Sequence, residues 1–136
     1  MYHCPMYSQE LIKGTLKTIV LSLLSEHDRM YGYEITQHVK DKTAGEIQLT
    51  EGALYPTLHK LEADGFLTTE KVSIGKRVRK YYRLTENGNK QANDKVNEFR
   101  KFSETMNSLL NSFNQPPLSP EGGLQCLPRL ANLKYS

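Results

Sequence analysis

The densest positive charge in this chain lies between Lys71 and Arg83, where six Lys or Arg residues occur without an acid. Such a cluster is the usual electrostatic footprint of a surface that binds nucleic acid, because these side chains neutralise phosphates. Charged side chains on an exposed strand also prevent edge-to-edge aggregation, so a basic hairpin can have a purely structural role. The cluster alone leaves both interpretations open.

A helix is predicted immediately before this cluster, and Thr50 is a residue type that caps helix N-termini well. Leu54, Leu58 and Leu61 follow helical spacing and are expected to face the core. Small residues such as Gly52 in the first turn allow close backbone approach, and the free amides there attract a phosphate oxygen. A helix that fits a major groove beside a hairpin that reaches phosphates suits duplex DNA.

We therefore expect DNA contacts from the outward face of this helix and from the hairpin. Tyr55, His59 and Lys60 can contact phosphates or base edges, and the hairpin cations can contact the backbone. The predicted DNA-binding residues are Thr50, Glu51, Gly52, Tyr55, His59, Lys60, Lys71, Lys76, Arg77 and Arg79. Tyr82 and Tyr33 are instead predicted to lie in the core or at its boundary.

Hydrophobic periodicity predicts the elements that position these residues. The predicted helices are 8–27, 31 to about 43 and 50–65, and the predicted strands are 66–72 and 77–84. Gly75 is expected in the hairpin turn, where it can adopt a positive φ. In the second strand Val78 and Tyr82 are expected to face the core. The fold class is therefore mainly α with a small β-hairpin.

A long last helix is predicted from Thr85 to about Asn114, and its apolar residues alternate steps of four and three. One chain alone would leave much of this stripe in water, whereas burying each large apolar side chain contributes ~1.5–3 kcal/mol. We therefore infer a homodimer. The residues expected at its interface are Val96, Phe99, Phe102, Met106, Leu109, Leu110 and Phe113.

Composition excludes several other classes of protein. The 136 residues suit one compact domain with an appendage, and 38% hydrophobic and 24% charged residues are typical of a globular chain. No apolar run approaches the roughly 20 residues of a membrane span, and the first residues do not resemble a signal peptide. We expect a cytoplasmic protein with no membrane partner.

No pattern typical of an enzyme or a metal site is present. The four histidines lack metal-ligand spacing, and Cys4 and Cys126 lie near opposite ends of a chain expected to stay reduced. Glycine-rich phosphate loops and nucleophile elbows are missing. We predict no catalytic residue, no metal and no cofactor.

Three blocks of the sequence closely resemble the PadR family of bacterial transcriptional regulators. The blocks are MYGYEI at 30–35, TEGALYPTLHKLEADGFL at 50–67 and RKYYRLT at 79–85. The resemblance, over about 11–113, implies a winged helix-turn-helix with a long C-terminal dimerisation helix, as in the small subfamily. It implies repression from palindromic operators, a recognition helix over 50–60 and a wing over 71–79. It also implies that helix one joins the dimer interface, which adds Leu16.

The predicted organisation has four parts. These are an N-terminal arm (1–7), the winged helix-turn-helix domain (8–85), the dimerisation helix (86–114) and a flexible tail rich in Pro and Gly (115–136). Two alternative functions stay open, namely a winged-helix module for an acidic protein partner and a ligand sensor. The sensor would bind a small hydrophobic effector in the dimer interface. Some family members do so with a tryptophan, which this chain lacks.

Overall fold

The computed structural model describes residues 7–112, which form four helices and a three-stranded antiparallel sheet. In chain order the elements are α1 (Gln9–Glu26), β1 (Met30–Tyr31), α2 (Gly32–Lys42), α3 (Glu51–Ala63), β2 (Leu67–Ile74), β3 (Arg77–Leu84) and α4 (Glu86–Asn111). The strand order is β1-β3-β2. The predicted fold class, mainly α with a small hairpin, is confirmed.

Several predicted features fall outside this range. Residues 1–6 of the predicted arm, Phe113 of the predicted interface, and the Pro/Gly-rich tail are not among the described residues. The chain divides into two compact units after Lys101, and the last turns of α4 belong to the second unit. No helix within residues 7–112 is long and apolar enough to cross a membrane.

Side-chain caps set where the helices begin. The Ser8 hydroxyl accepts a hydrogen bond from the Leu11 amide at 3.3 Å before α1, and the Thr50 hydroxyl accepts one from the Ala53 amide at 3.2 Å before α3. Each bond satisfies an amide that has no partner inside the helix. After α3 the chain turns at Gly65, whose φ of 87° favours glycine.

One hydrophobic core packs the first three helices against the base of the sheet. Its largest fully buried side chains are Tyr82, Leu21, Met30, Ile35, Leu54, Leu58, Leu61 and Val20. Burial raises the pKa of the Tyr82 hydroxyl above its ordinary value of 10.0, and the Glu62 carboxylate adds to the effect. Because three leucines of α3 lie in this core, the orientation of α3 is fixed by packing.

The predicted places of two side chains, one in the dimer interface and one in the core, need correction. Leu16 lies in this core with only 2% of its surface exposed, so its predicted place in a dimer interface is wrong. A side chain covered by its own chain has no surface left for a partner. Tyr33, predicted as a core or boundary residue, is 57% exposed on α2.

The sheet includes a strand that periodicity did not predict. Met30 and Tyr31, predicted near the start of the second helix, pair with Tyr82 and Tyr81 of β3. Tyr31 is also the N-cap residue of α2, and its amide donates to the Glu34 carboxylate at 3.3 Å. The sheet and α2 are therefore joined at one residue.

Strands β2 and β3 form a hairpin with the two-residue loop Gly75-Lys76. Gly75 has a φ of 63°, as the first loop residue of a type II′ turn requires. Tyr82 faces the core as predicted, but Val78 on the same face is 61% exposed. The prediction for Val78 is wrong because the hairpin extends beyond the core at its tip.

The first turn of α4 is bonded to the turn that follows α3. The Thr85 amide donates to the Phe66 carbonyl at 3.0 Å, and the Thr85 hydroxyl donates to the Gly65 carbonyl at 2.7 Å. The same hydroxyl accepts from the Gly88 amide at 3.0 Å. Gly88 is buried, and a Cβ there would collide with the Phe66 carbonyl oxygen. Only glycine allows this close approach.

Candidate nucleic-acid interface

The outward face of α3 is determined by the leucines on its inner face. Leu54, Leu58 and Leu61 are fully buried, which leaves the opposite side of the helix in solvent. The predicted contact residues exposed on or just before α3 are Thr50, Glu51, Gly52, His59 and Lys60. This surface is available to a partner without any change in the core.

Tyr55 is placed differently from the other predicted contacts of α3. Its side chain is half-buried, and its phenol lies so close to Gly32 that a Cβ there would collide with the Tyr55 hydroxyl. The Tyr55 and His59 rings are 6.4 Å apart between centroids. Tyr55 therefore packs α3 against the start of α2, and only part of its ring remains accessible.

The six basic residues between Lys71 and Arg83 separate into two groups. The Lys80 ammonium lies 3.8 Å from the Glu62 carboxylate, and the Arg83 guanidinium lies 3.1 Å from that of Asp28. Within residues 7–112, the four that form no ion pair are Lys71, Lys76, Arg77 and Arg79. Those four are the hairpin residues predicted to bind DNA, and their positive charge is not neutralised by a nearby acid.

The outer face of the sheet carries two arginines stacked on two tyrosines. The Arg79 guanidinium lies 4.2 Å from the centroid of the Tyr31 ring, and that of Arg29 lies 4.4 Å from the centroid of the Tyr81 ring. The two tyrosine rings meet edge to face with centroids 5.5 Å apart. We refer to Arg79, Tyr31, Tyr81 and Arg29 as the arginine–tyrosine row.

Of this row, only Arg79 was predicted as a contact residue. The row depends on the pairing of β1 with β3, which places Tyr31 opposite Tyr81. Two residues are too few to show the alternation of a strand, so neither the pairing of Tyr31 with Tyr81 nor the contact of Arg29 with Tyr81 could be predicted. The block RKYYRLT, which includes Tyr81, was identified from the sequence, but the contacts of Tyr81 with Tyr31 and Arg29 were not.

A groove between α3 and the hairpin brings the two predicted contact regions together. Its lining includes Tyr55 and His59 from α3, Arg79 and Lys80 from β3, and Tyr31 from β1. Aromatic faces, an imidazole and two cations can contact phosphates and base edges. The tip residues Lys76 and Arg77 do not line this groove.

The apolar stripe of α4 is largely uncovered in one chain. Within the first unit, Ala92 is buried while Phe99 is 42% exposed, and Val96 is half-buried. Within the second unit Phe102, Leu109 and Leu110 are each at least 50% exposed, and Met106 is half-buried. Exposed aromatic and aliphatic side chains in such a row are typical of an interaction surface.

The part of the chain that the structure describes contains no group of three or more His, Cys, Asp or Glu residues arranged to hold a metal ion. His27 and His38 instead pack edge to face, with ring centroids 4.6 Å apart. The His27 Nδ1 atom lies 2.9 Å from the Leu23 carbonyl oxygen, within hydrogen-bonding distance. These two histidines join the end of α1 to α2.

Comparison with known proteins shows that this chain is similar to transcriptional regulators. The model of the Transcriptional regulator PadR-like family matches residues 20–94. A transcriptional regulator from Clostridium thermocellum is 32% identical with a TM-score of 0.67, over 80% of this chain and 99% of that one. A PadR family transcriptional regulator from Eggerthella lenta is 32% identical with a TM-score of 0.66, over 74% of this chain and 86% of that one. The Negative transcriptional regulator PadR of Bacillus subtilis is 29% identical over 67% of this chain and 50% of its own length.

Proposed function

Because the chain belongs to the PadR-like family of transcriptional regulators, we propose that it is a repressor that binds a palindromic operator as a homodimer. Members of this family regulate transcription and are not enzymes. One observation carries the proposal: four cations that form no ion pair within residues 7–112 lie on a hairpin beside the exposed face of α3. Such a regulator acts in the bacterial cytoplasm, where its operator is accessible.

In the proposed complex α3 enters the major groove and the hairpin contacts the flanking phosphates. His59 and the accessible part of Tyr55 supply contacts that depend on the base sequence, because they lie on α3. Lys71, Lys76 and Arg77 supply affinity for any sequence, because phosphates carry no sequence information. The assignment as a repressor is supported by the Bacillus relative, whose name describes negative regulation.

The homodimer is supported by the exposed stripe of α4. Two copies that pack these stripes together would remove several aromatic and aliphatic side chains from water, each contributing ~1.5–3 kcal/mol when fully buried. A dimer also explains a palindromic site, because two-fold symmetry places two recognition helices in successive major grooves about 34 Å apart. The proposed interface residues are Val96, Phe99, Phe102, Met106, Leu109 and Leu110.

The proposal is tested by fluorescence anisotropy with a labelled duplex that spans the promoter of the protein's own gene. If the dimer makes six to ten phosphate contacts, affinity should fall roughly 10³- to 10⁵-fold between 50 and 200 mM salt. Binding that does not respond to salt would contradict the mechanism. No binding to the promoter or to any other duplex would favour the protein-interaction module instead.

A matched pair of variants separates the hairpin from general charge effects. Arg77→Ala and Lys90→Ala each remove one exposed positive charge, the first from the hairpin and the second from α4. We expect Arg77→Ala to weaken binding and to reduce the number of counterions released by about two per dimer, because it removes one phosphate contact from each chain. Lys90→Ala should change neither the affinity nor its salt dependence. Equal losses in both variants would show only that net charge matters.

A further inference from the structure

Tyr31 holds the guanidinium of Arg79 at one place on the protein. The centroid of its ring is 4.2 Å from the Arg79 Cζ atom, a distance typical of a cation–π contact. Tyr31 belongs to β1 and caps α2, and its backbone pairs with Tyr81. Arg79 is therefore fixed to the body of the domain, whereas Lys76 and Arg77 at the hairpin tip have no comparable contact within residues 7–112.

The stacked geometry leaves Arg79 able to bind a phosphate. A guanidinium stacked on a ring uses its flat face, while its five N–H donors point outward in the plane. Arg79 forms no ion pair with an acid among residues 7–112. Within residues 7–112, no acid therefore competes with a phosphate for its donors.

The other stacked arginine shows the contrast within the same row. The Arg29 guanidinium lies 4.4 Å from the centroid of the Tyr81 ring, but it also forms an ion pair with the Glu70 carboxylate at 2.9 Å. The Glu70 carboxylate lies 3.7 Å from the Arg83 guanidinium as well. One end of the arginine–tyrosine row is therefore neutralised, and the end that lines the groove beside α3 is not.

We propose that Tyr31 is a positioning residue for DNA binding, which acts by holding Arg79 in the groove between α3 and the hairpin. This inference depends on the proposed function, since it assumes that Arg79 contacts DNA. An arginine already held in its bound conformation loses less freedom on association, so the complex is more stable. Tyr31 itself need not contact DNA.

The test is a pair of double-mutant cycles measured by anisotropy on a duplex that the wild-type protein selects from a random pool. Loss of a cation–π contact of about 0.5–1 kcal/mol lowers the affinity for DNA roughly two- to fivefold for each chain, and by about the square of that factor for a dimer. Tyr31→Leu should show this loss, and Tyr31→Phe should bind like the wild type because the ring is kept. In the Arg79→Ala background, Tyr31→Leu should cause no further loss.

Arg77→Ala provides the matched control, because Arg77 lies on the same strand and forms no cation–π contact with a ring among the residues that the structure describes. In the Arg77→Ala background, Tyr31→Leu should lower the affinity by the same factor as it does in the wild-type protein. Additive effects in both cycles, or equal losses for Tyr31→Phe and Tyr31→Leu, would overturn the inference and leave the proposed function intact. If the wild-type protein binds no duplex, both this inference and the proposed function fail.

A measurement without DNA checks the geometry independently of whether Tyr31→Leu folds. The ring current of Tyr31 should move the proton resonances of the Arg79 side chain upfield, and Tyr31→Phe should preserve that shift. Resonances at ordinary positions in the wild type would show that Arg79 is not stacked. That result would overturn the inference even if the protein binds DNA.

Discussion

Replacing Gly88 by alanine should destabilise the fold, because the added Cβ would meet a carbonyl group that cannot move freely. The Cβ would collide with the Phe66 carbonyl oxygen and would lie 3.0 Å from both the Phe66 carbonyl carbon and the Leu84 Cδ2 atom. The same oxygen accepts a hydrogen bond from the Thr85 amide at 3.0 Å. Relieving the collision therefore strains or breaks the bond that starts α4.

The expected loss of stability follows from two destabilising contributions and one stabilising contribution. Overpacking costs about 1–3 kcal/mol, and loss of the Thr85 hydrogen bond costs about 0.5–1.5 kcal/mol. Alanine is favoured over glycine within a helix by about 1 kcal/mol, which offsets part of this cost. We expect a net loss of about 0.5–3.5 kcal/mol. For a domain of this size that lowers the melting temperature by roughly 2–28 °C.

Thermal unfolding followed by circular dichroism at one protein concentration measures the effect, since the proposed dimerisation would make melting depend on concentration. Gly14→Ala is the matched control, because Gly14 is exposed within α1 and no atom lies within 4 Å of an added Cβ. It should stabilise the protein by about 0.5–1 kcal/mol. A Gly88→Ala protein that melts at or above the wild-type temperature would refute the reasoning.

Three further predictions concern single side chains. Burial raises the pKa of Tyr82 above 10.0 in the folded protein. The stability that this shift contributes is therefore complete below pH 10 and is lost as the pH rises through the raised pKa. Urea unfolding should show that the free energy of unfolding falls less steeply at alkaline pH for Tyr82→Phe than for the wild type. His59→Ala should change which duplexes are selected from a random pool, whereas Arg77→Ala should weaken binding to all duplexes alike. Gly32→Ala should displace the Tyr55 phenol and lower stability in urea, and Tyr55→Leu should restore part of the loss in the double variant.

The helices could be predicted from the sequence because their signals are local. Thr50 was predicted as an N-cap, and it accepts the expected hydrogen bond from the amide three residues later, as Ser8 does before α1. Gly75 was expected in the hairpin turn and has the required positive φ. Each of these features depends on neighbours within a few positions.

The predictions that failed depend on contacts between distant parts of the chain. Leu16 shows the periodicity of an inner face, but only packing reveals whether its own chain or a partner covers that face. Val78 continues the alternation of Tyr82 although the core ends before it. The stacking of Arg79 on Tyr31 requires β1, whose two residues form a strand only because β3 lies beside them.

The hydrogen bonds around Thr85 have a consequence for how an operator could be selected. They join the first turn of α4 to the turn after α3, so the start of α4 is held in a fixed position relative to the end of α3. In the proposed dimer, the angle at which residues 86–101 of the two α4 helices pack would therefore determine the distance between the two α3 helices. A change in packing along α4 would then alter the half-site spacing that the protein accepts, without altering any residue that contacts a base.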